Sequence, residues 1–130
     1  MLLQEQFQGD AWKVLVTSIF LKRTRGTQVK RVIAFFFNLF PTPERFICHS
    51  SYITELLIKS LGFSKRRTQE LQDVASYLLL HGQPRSRTEV KMIHGVGDYV
   101  ADAYAIFVLN DLNVNPKDYA LRRYVNGYKL

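Results

Sequence analysis

The sequence predicts an all-α domain of about seven helices, and three observations carry that prediction. Apolar residues recur mostly at helical spacing, strand signals are weak throughout, and glycine or proline separates segments of helical length. No Asn-Gly turn joins two alternating segments, as a β-hairpin would require. With 130 residues, 47% of them hydrophobic and 22% charged, the chain reads as one folded domain over residues 1–130 with a modest core.

Each element follows from local chemistry. Asp10 can cap a helix running to about Leu21, whose Trp12, Val14, Leu15, Val16, Ile19, Phe20 and Leu21 are apolar nearly all round. Such a helix belongs at the centre of the domain. After the Arg23-Thr24-Arg25-Gly26 break, a second helix from about Thr27 to Phe40 buries Val29, Val32, Ile33, Phe36, Phe37 and Phe40. Pro41-Thr42-Pro43 stops it. Ser51 to Ser60 is a short helix with Ile53, Leu56 and Leu57 inward, and Gly62 in the following turn is a C′ glycine. Ser64 to about Leu80 opens on Lys65-Arg66-Arg67 and buries Leu71, Val74, Ala75, Leu78 and Leu79, before Gly82-Gln83-Pro84 ends it. A short helix near Thr88 to Met92, a longer one from Tyr99 to Leu109 and a last one from Asp118 to about Tyr128 complete the set.

Charge and cysteine usage narrow the function. A net charge of +7 points to a polyanionic partner, without separating DNA, RNA and anionic lipid. The single Cys48 excludes an intrachain disulfide framework and an all-cysteine metal or iron–sulfur site. His49, His81 and His94 lack paired ligand spacing, so neither metal nor cofactor is expected. The longest apolar run, Val14 to Leu21, is too short to span a bilayer, and no signal peptide or lipidation motif is recognisable. A soluble, intracellular and monomeric protein is the expectation.

The chemistry concentrates in His94-Gly95-Val96-Gly97-Asp98-Tyr99. Gly95-Val96-Gly97 allows a tight turn between two helices, and the turn amides converge on one point that suits a phosphate oxygen. An ordinary helix C-cap followed by a new helix would look the same. Further on, Asn115-Pro116-Lys117-Asp118 sets a carboxylate where another helix begins, either as a plain N-cap or as a reacting group.

The surrounding pattern is more specific than either motif. Leu2-Leu3-Gln4-Glu5, Asp10-Ala11-Trp12-Lys13-Val14-Leu15, Ile19-Phe20-Leu21-Lys22-Arg23-Thr24-Arg25-Gly26, Leu61-Gly62-Phe63, the hairpin, Ala101-Asp102-Ala103-Tyr104-Ala105-Ile106-Phe107 and Asn115-Pro116-Lys117-Asp118 follow in order. Together they resemble the glycosylase domain of methyl-CpG-binding domain protein 4 and its plant relatives, within the endonuclease III-like helix-hairpin-helix DNA glycosylase superfamily. The resemblance runs from Leu2 to about Tyr124 and implies that fold, with a DNA-binding cleft. It also implies a base-flipping enzyme that removes thymine or uracil mispaired with guanine from double-stranded DNA, in the nucleus if eukaryotic.

On that resemblance Asp118 is the catalytic carboxylate, stabilising oxocarbenium-like charge on the sugar or activating water. Gln4 and Tyr99 line the base pocket. Tyr99 stands where bifunctional members carry a lysine nucleophile, which implies a hydrolase without lyase activity. Arg23 fills the gap left in the duplex and Phe63 acts as a wedge. Gly95, Val96 and Gly97 hold a phosphate. Lys22, Arg25, Lys65, Arg66, Arg67, Arg122 and Arg123 are candidates for other backbone contacts, about half of them expected to touch DNA. Read without the family, Gln4 is a solvated residue, Tyr99 a core residue and Phe63 a staple against the next helix.

Three features depart from the pattern. Asp98 stands where related hairpins carry a basic residue, Ala120 replaces a lysine that some relatives place near the substrate, and relatives extend beyond one or both ends of the chain. The last feature implies a frayed closing helix or a shortened form. The cysteine cluster of many superfamily members and a methyl-CpG-binding domain are both missing from the sequence. The competing reading is a non-catalytic helix-hairpin-helix module that recognises distorted or damaged duplex.

Overall fold

The helix Ala11–Leu21 (α1) is the element on which the others are laid. Asp10 accepts the Lys13 amide at 2.9 Å and starts it, and every residue from Val14 to Phe20 is buried, Thr17 and Ser18 included. The computed structural model describes residues 2–22, 24–49, 52, 54, 56, 59 and 64–129. Within these residues a 3₁₀ turn over Leu3–Phe7 precedes α1. It is followed by α2 (Gly26–Leu39), α3 (Pro43–Ile47), α4 (Ser64–His81), α5 (Arg87–Lys91), α6 (Asp98–Phe107) and α7 (Tyr119–Lys129). No strand occurs among the described residues. Nor is any helix among them long and apolar enough to cross a membrane.

Two apolar clusters lie on either side of α1. The larger joins α1 to α2, α3 and α4 through Phe20, Phe36, Phe40, Phe46 and Leu71, with edge-on ring contacts such as Phe36 against Phe20 and Phe40 at 5.4 and 5.1 Å. The indole of Trp12 donates to the Phe40 carbonyl at 2.9 Å and so holds the end of α2. The smaller cluster joins Val14 of α1 to Ala103, Ile106 and Phe107 of α6 and to Leu121 and Val125 of α7. This second cluster fixes where the first turn of α7, and hence Asp118, meets the rest of the domain.

Several sequence expectations need correction. Pro43 does not merely stop the second helix. It occupies the first position of α3, where a missing amide costs nothing, and Thr42 accepts the Arg45 amide at 3.2 Å. Leu79 is 41% and Leu56 54% exposed, whereas apolar periodicity alone predicts both inward. The remaining Ser51–Ser60 helix, apart from Tyr52, Thr54, Leu56 and Lys59, and the Leu61-Gly62-Phe63 turn lie outside the described residues, as does Arg23.

Candidate active site

The site is assembled where the 3₁₀ turn, the end of α1 and the first turns of α6 and α7 converge. Leu2, Leu3, Gln4, Leu21, Thr24, Gly26, Tyr99, Asp118, Ala120 and Leu121 surround a cavity of about 290 Å³ there. Gln4, read as solvated without the family, is only 1% exposed. A buried amide is costly unless its hydrogen bonds are made. Its Nε2 donates to the Tyr99 hydroxyl at 3.0 Å and to the Ser18 hydroxyl at 3.3 Å. The Tyr99 phenol is pushed up to about 12, first by burial and then by the negative charge of Asp118, against the lowering effect of the Gln4 bond. It remains a proton donor at neutral pH.

Asp118 is half-buried and serves as the cap of α7. Its Oδ2 accepts the Leu121 amide at 3.0 Å, and its carbonyl accepts the Arg122 amide at 2.9 Å. Oδ1 has no hydrogen bond among the described residues. Capping and lining the cavity are therefore compatible roles: one oxygen is committed to the helix and the other is unbonded among the described residues.

The glycine turn lies at the start of the same α6. Gly95 has φ +85°, the left-handed region that favours glycine, whereas Gly97 has an ordinary φ of −99°. A Cβ at Gly97 would meet nothing within 4 Å, so the protein's own packing does not call for glycine at that position. Val96 is buried in the larger core cluster and its amide donates to the Ile93 carbonyl at 3.1 Å. Among the described residues the amides of Gly95 and Gly97 donate to no other backbone group, so these two, rather than Val96, remain available to a ligand.

Asp98, the residue out of keeping in a phosphate cradle, is paired twice. Its Oδ1 accepts from Lys91 Nζ at 2.7 Å and from Arg87 Nη2 at 3.0 Å, and these cations hold its carboxyl below the usual range. Arg87 also donates from Nε to the buried Asp102 at 2.7 Å, which with Asp98 raises its own affinity for the proton. Two acids and two bases thus tie α5 to α6 across the turn with no net charge. The motifs of the sequence do not single out Arg87 and Lys91. Their i, i+4 spacing on α5, facing Asp98 and Asp102 at the same spacing on α6, is the signal that could have found them.

The remaining cations divide. Lys22 is paired with Glu70 in a half-buried bridge on α4, and Arg66 sits 3.9 Å from the same carboxylate. Arg67 is buried, with Nη2 donating to the Thr24 hydroxyl at 2.6 Å, so it is a structural residue and no surface contact. Arg25, Lys65, Arg122 and Arg123 are exposed, Arg122 donating to the Lys117 carbonyl and Arg123 lying over the Tyr119 ring.

A helix, a glycine hairpin, a second helix and then a helix-capping aspartate form a recognised order, and residues 16–127 match the model of the HhH-GPD superfamily base excision DNA repair protein. The chain belongs to the HhH-GPD superfamily. Over 124 residues, 95% of this chain, it is 39% identical to the methyl-CpG-binding domain protein 4-like protein of Arabidopsis thaliana. Over 72% of the chain it is 32% identical to the thymine-DNA glycosylase of Aeropyrum pernix. It spans 27% and 43% of these two relatives' lengths. Among solved structures, a thermostable thymine-DNA glycosylase superposes with a TM-score of 0.75 at 22% identity, covering 92% of this chain and 66% of that one. An endonuclease III–DNA covalent intermediate superposes at 0.76 and 21% identity, covering 85% of this chain and 53% of that one. These likenesses establish the all-α endonuclease III-like fold. The family it joins is one of base excision DNA repair proteins.

Proposed function

We propose that this chain hydrolyses the N-glycosidic bond of thymine or uracil mispaired with guanine, after flipping the nucleotide out of the duplex. The observation that carries this reading is the cavity in which a hydrogen-bonded Gln4–Tyr99 pair and the Asp118 carboxylate lie together. An amide and a phenol offer acceptor and donor to a pyrimidine edge, and a carboxylate beside them meets the positive charge that develops on the sugar. The thymine-DNA glycosylase relative supports the choice of base. Gly95 and Gly97 would receive a backbone phosphate through their amides, with Gly97 kept free of a side chain by the approach of that phosphate. Arg23 and Phe63 are assigned to the flipped-out gap and its wedge by resemblance alone. Arg25, Lys65 and Arg122 remain exposed for further phosphates, whereas Lys22 must first leave Glu70.

No lysine stands at position 99, so the proposed product is an intact strand bearing an abasic site. Single-turnover incubation with G·T and G·U duplexes, followed by alkali, tests the reading. Cleavage that depends on alkali, with no adduct trapped by borohydride, is the expected result. A protein that binds these duplexes and releases no base would instead be the non-catalytic module.

A further inference from the structure

We infer that Ser18 is the specificity-determining residue that holds the Gln4 amide with its oxygen toward the flipped base, and thereby selects pyrimidines that carry a ring N–H. This rests on the glycosylase reading above and goes beyond it, because no base contact is asked of Ser18 itself.

Ser18 lies on α1 and is fully buried, beside Thr17, in a mainly apolar stretch. Gln4 is brought beside it from fourteen residues away by the 3₁₀ turn. An amide nitrogen carries two hydrogens, and the structure supplies two hydroxyl acceptors for them, Ser18 Oγ at 3.3 Å and Tyr99 Oη at 3.0 Å. Both donors are thus consumed. Oε1 has no partner among the described residues, and Gln4 lines the cavity. A helical serine hydroxyl can place its own hydrogen on the carbonyl one turn back, which leaves its lone pairs for the amide. Tyr99 accepts from Gln4 and keeps its hydrogen for another acceptor. The cavity is therefore offered an acceptor from Gln4 and a donor from Tyr99.

Thymine and uracil have one donor on the exposed ring edge, N3–H, flanked by two carbonyls. Gln4 Oε1 can take that hydrogen while Tyr99 donates to a carbonyl. Cytosine carries a lone pair at N3, which an acceptor repels. Turning the amide over would reverse the preference, but it would require both hydroxyls to turn their hydrogens onto Oε1, leaving Tyr99 none to give the base. Sites that hydrogen-bond one edge discriminate strongly for this reason. Removing Ser18 takes away one of the two restraints and lets the amide turn.

The test compares wild type, Ser18→Ala and Ser18→Thr on duplexes with 5-fluorouracil or 5-fluorocytosine opposite guanine, the fluorine making each ring a better leaving group. Ser18→Ala is expected to lose about tenfold in release of 5-fluorouracil and to narrow the preference over 5-fluorocytosine by about tenfold or more, the value of one buried hydrogen bond. Ser18→Thr, which keeps the hydroxyl, should restore the preference. In parallel, nitrogen-15 NMR of the Gln4 side chain should show two slowly exchanging amide protons in wild type and one in Ser18→Ala, with a cooperative thermal melt in both. An unchanged base preference and unchanged exchange in Ser18→Ala would overturn the role of Ser18 while leaving the glycosylase reading in place. A wild type that releases neither base would overturn that reading, and the specificity role with it.

Discussion

Asp98 and Tyr99 are neighbours in the chain, yet they serve opposite sides of one helix start. Asp98 points outward with its side chain 58% exposed, in an ion-pair cluster with Arg87, Lys91 and Asp102. Tyr99 points inward to an uncharged hydrogen bond with a buried glutamine, near a single carboxylate. On the outer side water screens the Asp98 pairings, so these contacts contribute little and partners can be exchanged for a phosphate. On the inner side no solvent compensates a missing bond, so each donor and acceptor fixes the orientation of its neighbour. One turn of helix therefore joins a surface suited to non-specific holding with a cavity suited to selection.

Substitutions can break this contrast at either side. The largest effect is expected for Asp118→Asn. Asparagine caps helices as well as aspartate does, so stability should hold while single-turnover base release falls about 100- to 1,000-fold. Unchanged turnover would leave Asp118 with the capping role alone. Gly95→Ala comes next, because a side chain at φ +85° is strained by about 1–2 kcal/mol even though its Cβ would meet Glu70 Cγ at an ordinary 3.8 Å. Duplex affinity should drop while the rate of base release from bound duplex changes little. Equal losses in both would mean that hairpin and cavity are not separable.

Smaller effects follow on each side. Asp98→Asn removes a negative charge from the hairpin and frees Lys91 and Arg87. Binding should tighten, with the salt dependence of log affinity steepening by about one unit; weaker binding would show that Asp98 organises the cations rather than occupying them. Finally, Tyr99 has its folded-state ionisation raised from 10.0 to about 12. The unfolded chain releases that proton first, so the stabilisation it contributes is complete below pH 10 and is lost as the pH rises through about 12. Urea melts of Tyr99→Phe should lose less stability than wild type between pH 9 and 11.

Much of this fold can be read from side-chain pattern because helix periodicity and burial are local and redundant. The apolar run Val14–Leu21 implied a central helix, and that helix lies in contact with α2, α4 and α6. Asp10 announced its cap, and the glycine turn its place between two helices. The errors lie where one residue type serves two ends. Pro43 stops one helix and begins the next, and Leu79 has an apolar side chain that stays 41% exposed among the described residues.

The chain order of residues thus determined the elements, the family and the presence of Gln4, Tyr99 and Asp118, since each depends on identity and spacing. Only the packing of α1, α6 and α7 decided that Gln4 is buried, that Ser18 receives one of its amide hydrogens, and that Asp98 is neutralised from α5. Those facts depend on distances between segments far apart in sequence. A glutamine near a terminus is solvated or buried according to what folds over it, and no local pattern encodes that.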